Sequence, residues 1–348
     1  MAADLWRGRP TMKLERSTVS LAVLGIALLL LLCLAPDALL IVFAGVLLAV
    51  FLNAGARLLA RLTGLTRSWA LAAFVLALAA AAVVATLTAL PFLAEQMNEL
   101  WRQVPQAAAA VRQRMEQYSW SRDLLGQIEP QQMLTAGRST ASFALSTVFG
   151  AFGNLILILF IGLYFASDPE LYRRGVERLV APALRSDAER VLVAIGHTLE
   201  GWLLAQLVAM SVVGVLILLG LWLMGVPLAP VLAMIAALAT FVPNIGPVIG
   251  AVPAVLLGLA DGPWMALWVA LLYLAVQTLE SYLITPIVQL HTNALPPALV
   301  MAAQLVLGIM FGLLGLALAT PLTAAAITLV QLTYVERWLE APDRRLMP

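Results

Sequence analysis

The stretch FVPNIGP, Phe241 to Pro247, sits in the middle of an apolar segment that runs from Val226 to Leu259. A second apolar segment, Ala298 to Leu332, is interrupted in the same manner by FGLLG, Phe311 to Gly315. Proline lacks a backbone donor and glycine tolerates turns, so each helix must break or bend there. A bilayer offers no water to the backbone groups set free. Irregular backbone at membrane depth persists only where protein or a wet cavity covers it. Two such breaks in corresponding places are the usual sequence pointer to a transporter's binding site.

The whole chain has a matching composition. Of its 348 residues, 62% are hydrophobic and only 11% are charged, with a mean hydropathy of +0.97. A soluble domain carries roughly 25% charged residues. Several apolar runs approach or exceed the roughly 20 residues that span a bilayer. The expected fold class is therefore all-α, a polytopic integral membrane protein. Expected spans are 18–35, 38–56, 69–92, 143–166, 199–224, 264–285, 298–316 and 317–336, about eight, with 228–260 as an extra broken or re-entrant hairpin. The N-terminal run is longer than a signal-peptide core and leads, after Pro36-Asp37, into a second one, so it reads as a signal anchor.

Orientation follows the arginine and lysine bias of short loops. Arg7, Arg9, Lys13 and Arg16 precede the first span. Arg57, Arg61 and Arg67 follow the second, Arg173 to Arg190 follow the fourth, and Arg337, Arg344 and Arg345 lie in the tail. All fall on one side if the spans are right, which puts both termini in the cytoplasm. The division that results is a cytoplasmic segment 1–17, three spans in 18–92, and an external amphipathic segment 93–142. A core 143–336, with broken hairpins 228–260 and 298–336, and a cytoplasmic tail 337–348 complete it.

The external segment carries a heptad. Met97, Val104, Val111 and Tyr118 recur every seven residues, with Trp101, Ala108 and Met115 four residues after the first three. That seam fits a subunit contact, or a helix lying on the membrane or folded back on its own subunit. Pro105 should kink or restart it. In the linker 168–197, Asp168-Pro169-Glu170 marks a helix start and Pro182 a break. A weak repeat joins the two hairpins: Pro227 and Pro297 each lie 14 residues before Phe241 and Phe311. By this topology the hairpins enter from opposite sides, as an inverted repeat would, although chance likeness of two Gly/Pro-rich segments gives the same spacing.

No soluble-enzyme motif appears: no Walker loop, no His-Glu-x-x-His, no Gly-x-Ser-x-Gly. The chain is not expected to be an enzyme or ATP-driven, and no cofactor or metal is expected. The lone Cys33 excludes an intramolecular disulfide, and the net charge of +1 gives no case for nucleic acid. His197 and His291 fall at span edges and read as interfacial. The intramembrane polar candidates are Glu280, Gln277 and Gln206. Glu280 is placed as the sole carboxylate within a span, where a charge is expensive and by default functional, unless it snorkels to the interface. Gln277 shares its helix face one turn earlier. Gln206, Gln304 and Gln331 can each simply bond a neighbouring helix. The hairpin-tip candidates are Pro243, Asn244, Gly246, Pro247, Gly250, Phe311, Gly312 and Gly315. Asn244 can cap freed backbone or face a substrate.

The runs VPNIGPVIGAVPAVLLGL, QTLESYLITPIV and FGLLGLALATPL resemble the autoinducer-2 exporter (AI-2E) family of bacterial inner-membrane, PerM-type permeases. The resemblance covers most of the chain, although Ser281 stands where the family commonly has Asn, and His291-Thr292 where it often has a basic pair. It implies a homo-oligomer, specifically a pentamer, in the bacterial inner membrane. It also implies export of a small solute, in some members a quorum-sensing furanone, and in others sodium/proton exchange. Expected partners are thus the lipid bilayer, a small-molecule or ion substrate, and further copies of the chain. Three function classes follow: a permease by secondary transport or facilitated efflux, a sodium/proton-type antiporter, and a non-transporting membrane scaffold that works through 93–142.

Overall fold

The computed structural model describes residues 25–26, 30–31, 34–115, 153–284 and 296–339. Among these there are helices and no strands. The first, α1, is Pro36–Thr63; proline sits in its first turn, and the left-handed Gly64 ends it by donating its N–H to Ala60 O at 2.8 Å. Its stripe Leu40, Ala44, Leu47 faces the core at helical spacing.

Helix α2, Arg67–Met115, is 49 residues long. At 1.5 Å per residue it reaches about 70 Å, more than twice the hydrocarbon thickness. The span 69–92 and the start of the heptad segment are therefore one rod. Pro91 and Pro105 lie inside it without ending it. Its distal half packs on its own chain: Leu100 is buried, and Leu93, Met97 and Val104 lie against the same cluster. Trp101, the intervening heptad position, is 72% exposed. The side chains at 97 and 104 thus follow the fold-back reading. From Ala108 on, most of the heptad lies outside the residues whose side chains are described.

Helices α3 (Gly153–Ser167) and α4 (Pro169–Leu179) meet at an 89° bend. Asp168 stands at the bend, and its Oδ1 accepts from Leu171 N at 3.1 Å, the N-cap expected of the Asp-Pro-Glu signal. Helix α4 buries nothing, and its Arg173 pairs with Glu170 at 2.9 Å and with Glu189 at 3.5 Å. These charges are paired and only partly exposed, Glu177 at 19%, whereas Leu171 and Leu179 on the same helix are 61% exposed. A short turn at Pro182–Leu184 leads into α5, Arg185–Leu223, which runs unbroken from the charged linker through the apolar span.

The first hairpin is α6 (Ala229–Ala239) and α7 (Gly246–Asp261), followed by α8 (Pro263–Leu279), whose last turn widens to a π-helix over Glu280–Ile284. The second hairpin is α9, Pro297–Val330, broken at Gly312 and not between 316 and 317 as the span division would have it. Pro253 and Pro321 lie inside helices. Among the described residues, five helices are long and apolar enough to cross a membrane, or six if α3 and α4 form one bent span. Helices α6 and α7, at 11 and 16 residues, fall short of a crossing. The first expected span, 18–35, lies almost wholly outside the described residues. The protein is an all-α, multi-pass membrane protein.

If the distal half of α2 is part of the subunit core, Leu100→Ala should destabilise the protein by about 2–5 kcal/mol, as buried leucine truncations do. Trp101→Ala should stay within about 1 kcal/mol. Denaturant unfolding of the two variants in detergent reads both.

Candidate functional site

The first hairpin tip is Thr240 to Ile245. Helix α6 tightens as it ends: Phe241 N donates to Leu238 O at 3.1 Å and Val242 N to Ala239 O at 2.9 Å. Asn244 takes a left-handed φ of 67°, which asparagine tolerates better than most residues, and the chain re-enters helix at Gly246. The two arms then touch backbone to backbone. A Cβ added at Gly246 would run into the carbonyl of Ala239, and one at Gly250 would lie 2.9 Å from Ala236 Cα. Both glycines are buried, Pro247 occupies the first turn of α7, and Asn244 is exposed.

The second tip turns on Gly312, at φ 60° and ψ −139°. That backbone geometry is nearly confined to glycine. The turn folds the chain back on itself. A Cβ at Gly315 would strike the carbonyl of Leu307, eight residues earlier. A straight helix would hold those positions about 12 Å apart.

The two tips meet. Phe241 of the first, and Phe311 and Leu314 of the second, pack on one cluster with Trp202, Leu203 and Leu318. Trp202 meets Phe241 edge-on, with ring centres 5.7 Å apart. Gln304 Nε2 reaches across from the second hairpin and donates to Pro243 O at 2.9 Å. Gln206 Nε2, from α5, donates to Thr240 O. Both amides are buried. Two carbonyls at the first break thus each accept from a side chain of a different helix, Pro243 O in addition to Ile245 N at 2.8 Å. Two polar atoms on the second hairpin, Gln304 Oε1 and Thr320 Oγ1, are buried without a hydrogen-bond partner among the described residues. Such atoms can be satisfied by a water or a solute.

Glu280 and Gln277 form a separate pair at the end of α8. Gln277 Nε2 donates to Glu280 Oε2 at 2.9 Å, and both residues are half-buried. Gln277 also lines a groove that reaches Pro247, one residue beyond Gly246. Glu280 is not alone inside an apolar helix, however. Glu200 lies in α5 and pairs with Arg57 of α1. Beside it, Thr198 and Thr328 share a hydrogen bond of 3.1 Å between α5 and α9. No group of three or more His, Cys, Asp or Glu side chains is arranged to hold a metal among the described residues.

Gln304 is the site residue that the sequence reading underrates. Its signal is its place seven residues, two turns, before Phe311 and so on the same helix face. Gln96 carries no such signal. Its Oε1 accepts from Val231 N at 3.2 Å, which ties α2 to the base of the first hairpin.

Two broken hairpins joined tip to tip inside a bundle of apolar helices define a class, the multi-pass membrane proteins with discontinuous helices. The chain belongs to the AI-2E transporter family: the family model matches residues 20–334. It is 29% identical over 188 residues to the Bacillus subtilis (strain 168) protein named "Putative transport protein YueF", which covers 52% of this chain and 50% of that one. YrrI of the same strain is 27% identical, over 54% of this chain and 56% of its own. YhhT of Escherichia coli (strain K12) is 36% identical over 32% of each chain. The chain spans about half the length, or less, of the curated relatives it matches.

Replacing Gln304 by leucine keeps the volume near and removes one of two donors to Pro243 O, which keeps Ile245 N at 2.8 Å. Losing one such bond costs about 0.5–1.5 kcal/mol, whereas a buried carbonyl left unbonded costs about 1–3 kcal/mol. In detergent unfolding Gln304→Leu should lose about the smaller amount, and Gln206→Leu, which takes the side-chain donor from Thr240 O, about the larger. If both unfold at the wild-type midpoint, these bonds do not hold the tip.

Proposed function

We propose that this chain is a transporter of the bacterial inner membrane that moves a small solute past the joined tips of its two broken hairpins. The observation that carries the reading is the Gln304–Pro243 bond, which couples the first arm of the second discontinuous helix to the tip of the first hairpin, where regular backbone is lost. Helices of that kind form solute sites in membrane carriers, because the ends of their halves present free dipoles. The unpartnered Gln304 Oε1 and Thr320 Oγ1 support a solute with hydrogen-bonding groups, a small polar organic signal or metabolite. The absence of a Walker loop in the sequence supports secondary transport or facilitated efflux. Both termini in the cytoplasm and assembly as a homo-oligomer belong to the same proposal.

A second reading, sodium/proton-type exchange, has one observation in its favour. Glu280 lies on an apolar helix, half-buried and bonded by Gln277. A charge held at such a place in a span is costly and by default functional. Proton release on adding sodium to proteoliposomes, abolished by Glu280→Gln, would favour exchange. Solute flux that is equal in wild type and Glu280→Gln would favour the permease.

The tip itself is tested by Gly246→Val. The added side chain meets the Ala239 carbonyl, not a movable side chain, so the arms must separate. Solute flux screened in liposomes should fall at least about tenfold, the equivalent of 1.4 kcal/mol at a barrier, while membrane insertion persists. Wild-type flux would remove the tip from the pathway.

A further inference from the structure

Helices α7 and α8 touch closely at one end and part at the other. Near their connection, a Cβ at Gly258 would lie 3.3 Å from Ala266 Cα, so the backbones are in contact there. Toward the hairpin tip they splay around a groove of about 480 Å³. Pro247, Val248, Ala251, Val252 and Val255 line one wall, and Ala270, Tyr273, Leu274 and Gln277 line the other. The volume falls within the range of small-molecule sites. Its outer rim is exposed: Val248 is 64% and Leu274 63% accessible, and both belong to apolar helices.

The groove contains no charged side chain, and only two of its residues bring polar side-chain atoms. One is the hydroxyl of Tyr273. Tyr273 is only 8% exposed, and its hydroxyl is buried with no hydrogen-bond partner among the described residues. A buried tyrosine hydroxyl normally finds one. The other is the Gln277 amide, four residues on and so on the same face of α8. Its Nε2 is taken by Glu280, which leaves Oε1 as its acceptor. An ion or a sugar would be stripped of water here with almost nothing in return. A hydrocarbon chain would lose nothing, and a hydroxyl at its end, which can both donate and accept, would meet both polar groups.

We infer that this groove is a binding site for a neutral, single-chain amphiphile drawn sideways from the bilayer. Its apolar body lies between α7 and α8, and its uncharged head bonds Tyr273 and Gln277. The occupant would rest on Pro247, and so against the first turn after the tip. The site stands apart from the Gln304–Pro243 joint and does not depend on what crosses there.

The test is photolabelling of the full-length protein in nanodiscs, with a long-chain alcohol that carries a diazirine on its chain. Labelled peptides are mapped by mass spectrometry. A diazirine phosphatidylethanolamine in a parallel sample distinguishes a free amphiphile from bulk lipid. Labelling by the alcohol should concentrate on residues 247–256 and 270–277. Tyr273→Phe should reduce it several-fold. Ala251→Phe, which fills the groove, should reduce it at least tenfold, and the phospholipid should label these residues no more than the outer face of α2. Alcohol label spread evenly over lipid-facing helices overturns the inference. So does label insensitive to Ala251→Phe in a variant that unfolds at the wild-type midpoint, or a phospholipid that shows the same preference as the alcohol.

Discussion

Where α6 stops inside an apolar segment, the carbonyl of Thr240 is set free and that of Pro243 keeps only a tight bond from Ile245 N within the turn, at a place where lipid supplies no donor. Much of the architecture around the first tip answers that demand. Helix α5 runs unbroken past the tip and brings Gln206 to Thr240 O and the Trp202 ring to Phe241. The second hairpin folds back at Gly312, and its first arm brings Gln304 to Pro243 O. Neither amide serves as a generic helix–helix contact. Each meets a particular acceptor that exists only because the helix breaks there.

The close approach of the arms depends on the same economy of space. Gly246 and Gly250 let α7 lie on the backbone of α6, and Gly315 lets the second hairpin close on Leu307. At these positions a side chain would meet a carbonyl or a Cα atom, which cannot rotate aside. Outside the tips the packing is ordinary. Helix α2 lays Leu93, Met97, Leu100 and Val104 on the core, and Gln96 bonds the first turn of α6. The base of the first hairpin is thus held by α2 and its tip by α5 and the second hairpin.

Most of this fold is legible in the sequence, because bilayer physics makes hydropathy and proline–glycine punctuation unusually informative. The two breaks and the Asp168 cap follow from local residue types. The heptad is less transparent. Met97 and Val104 turn inward as it suggests, but Trp101 turns outward, because a helix packed on one side of its own bundle needs only one stripe. Gln304 reads as one intramembrane amide among several, since a hydrogen bond to a residue 61 positions away leaves no local trace. The Arg57–Glu200 pair is equally silent: the sequence shows an arginine in a positive loop and a carboxylate at a span edge. Their meeting is a property of how α1 and α5 pack.

The central claim is that the two tips meet within one subunit and that their junction is the working part. In a Cys33→Ser background, cysteines at Ile245 and Leu305 flank the bonded pair Pro243 and Gln304. A short, reducible bifunctional thiol reagent applied to this variant in liposomes should join them within a single chain and stop solute flux, and reduction should restore it. Failure to form an intrachain link, or a link that leaves flux unchanged, would contradict the account.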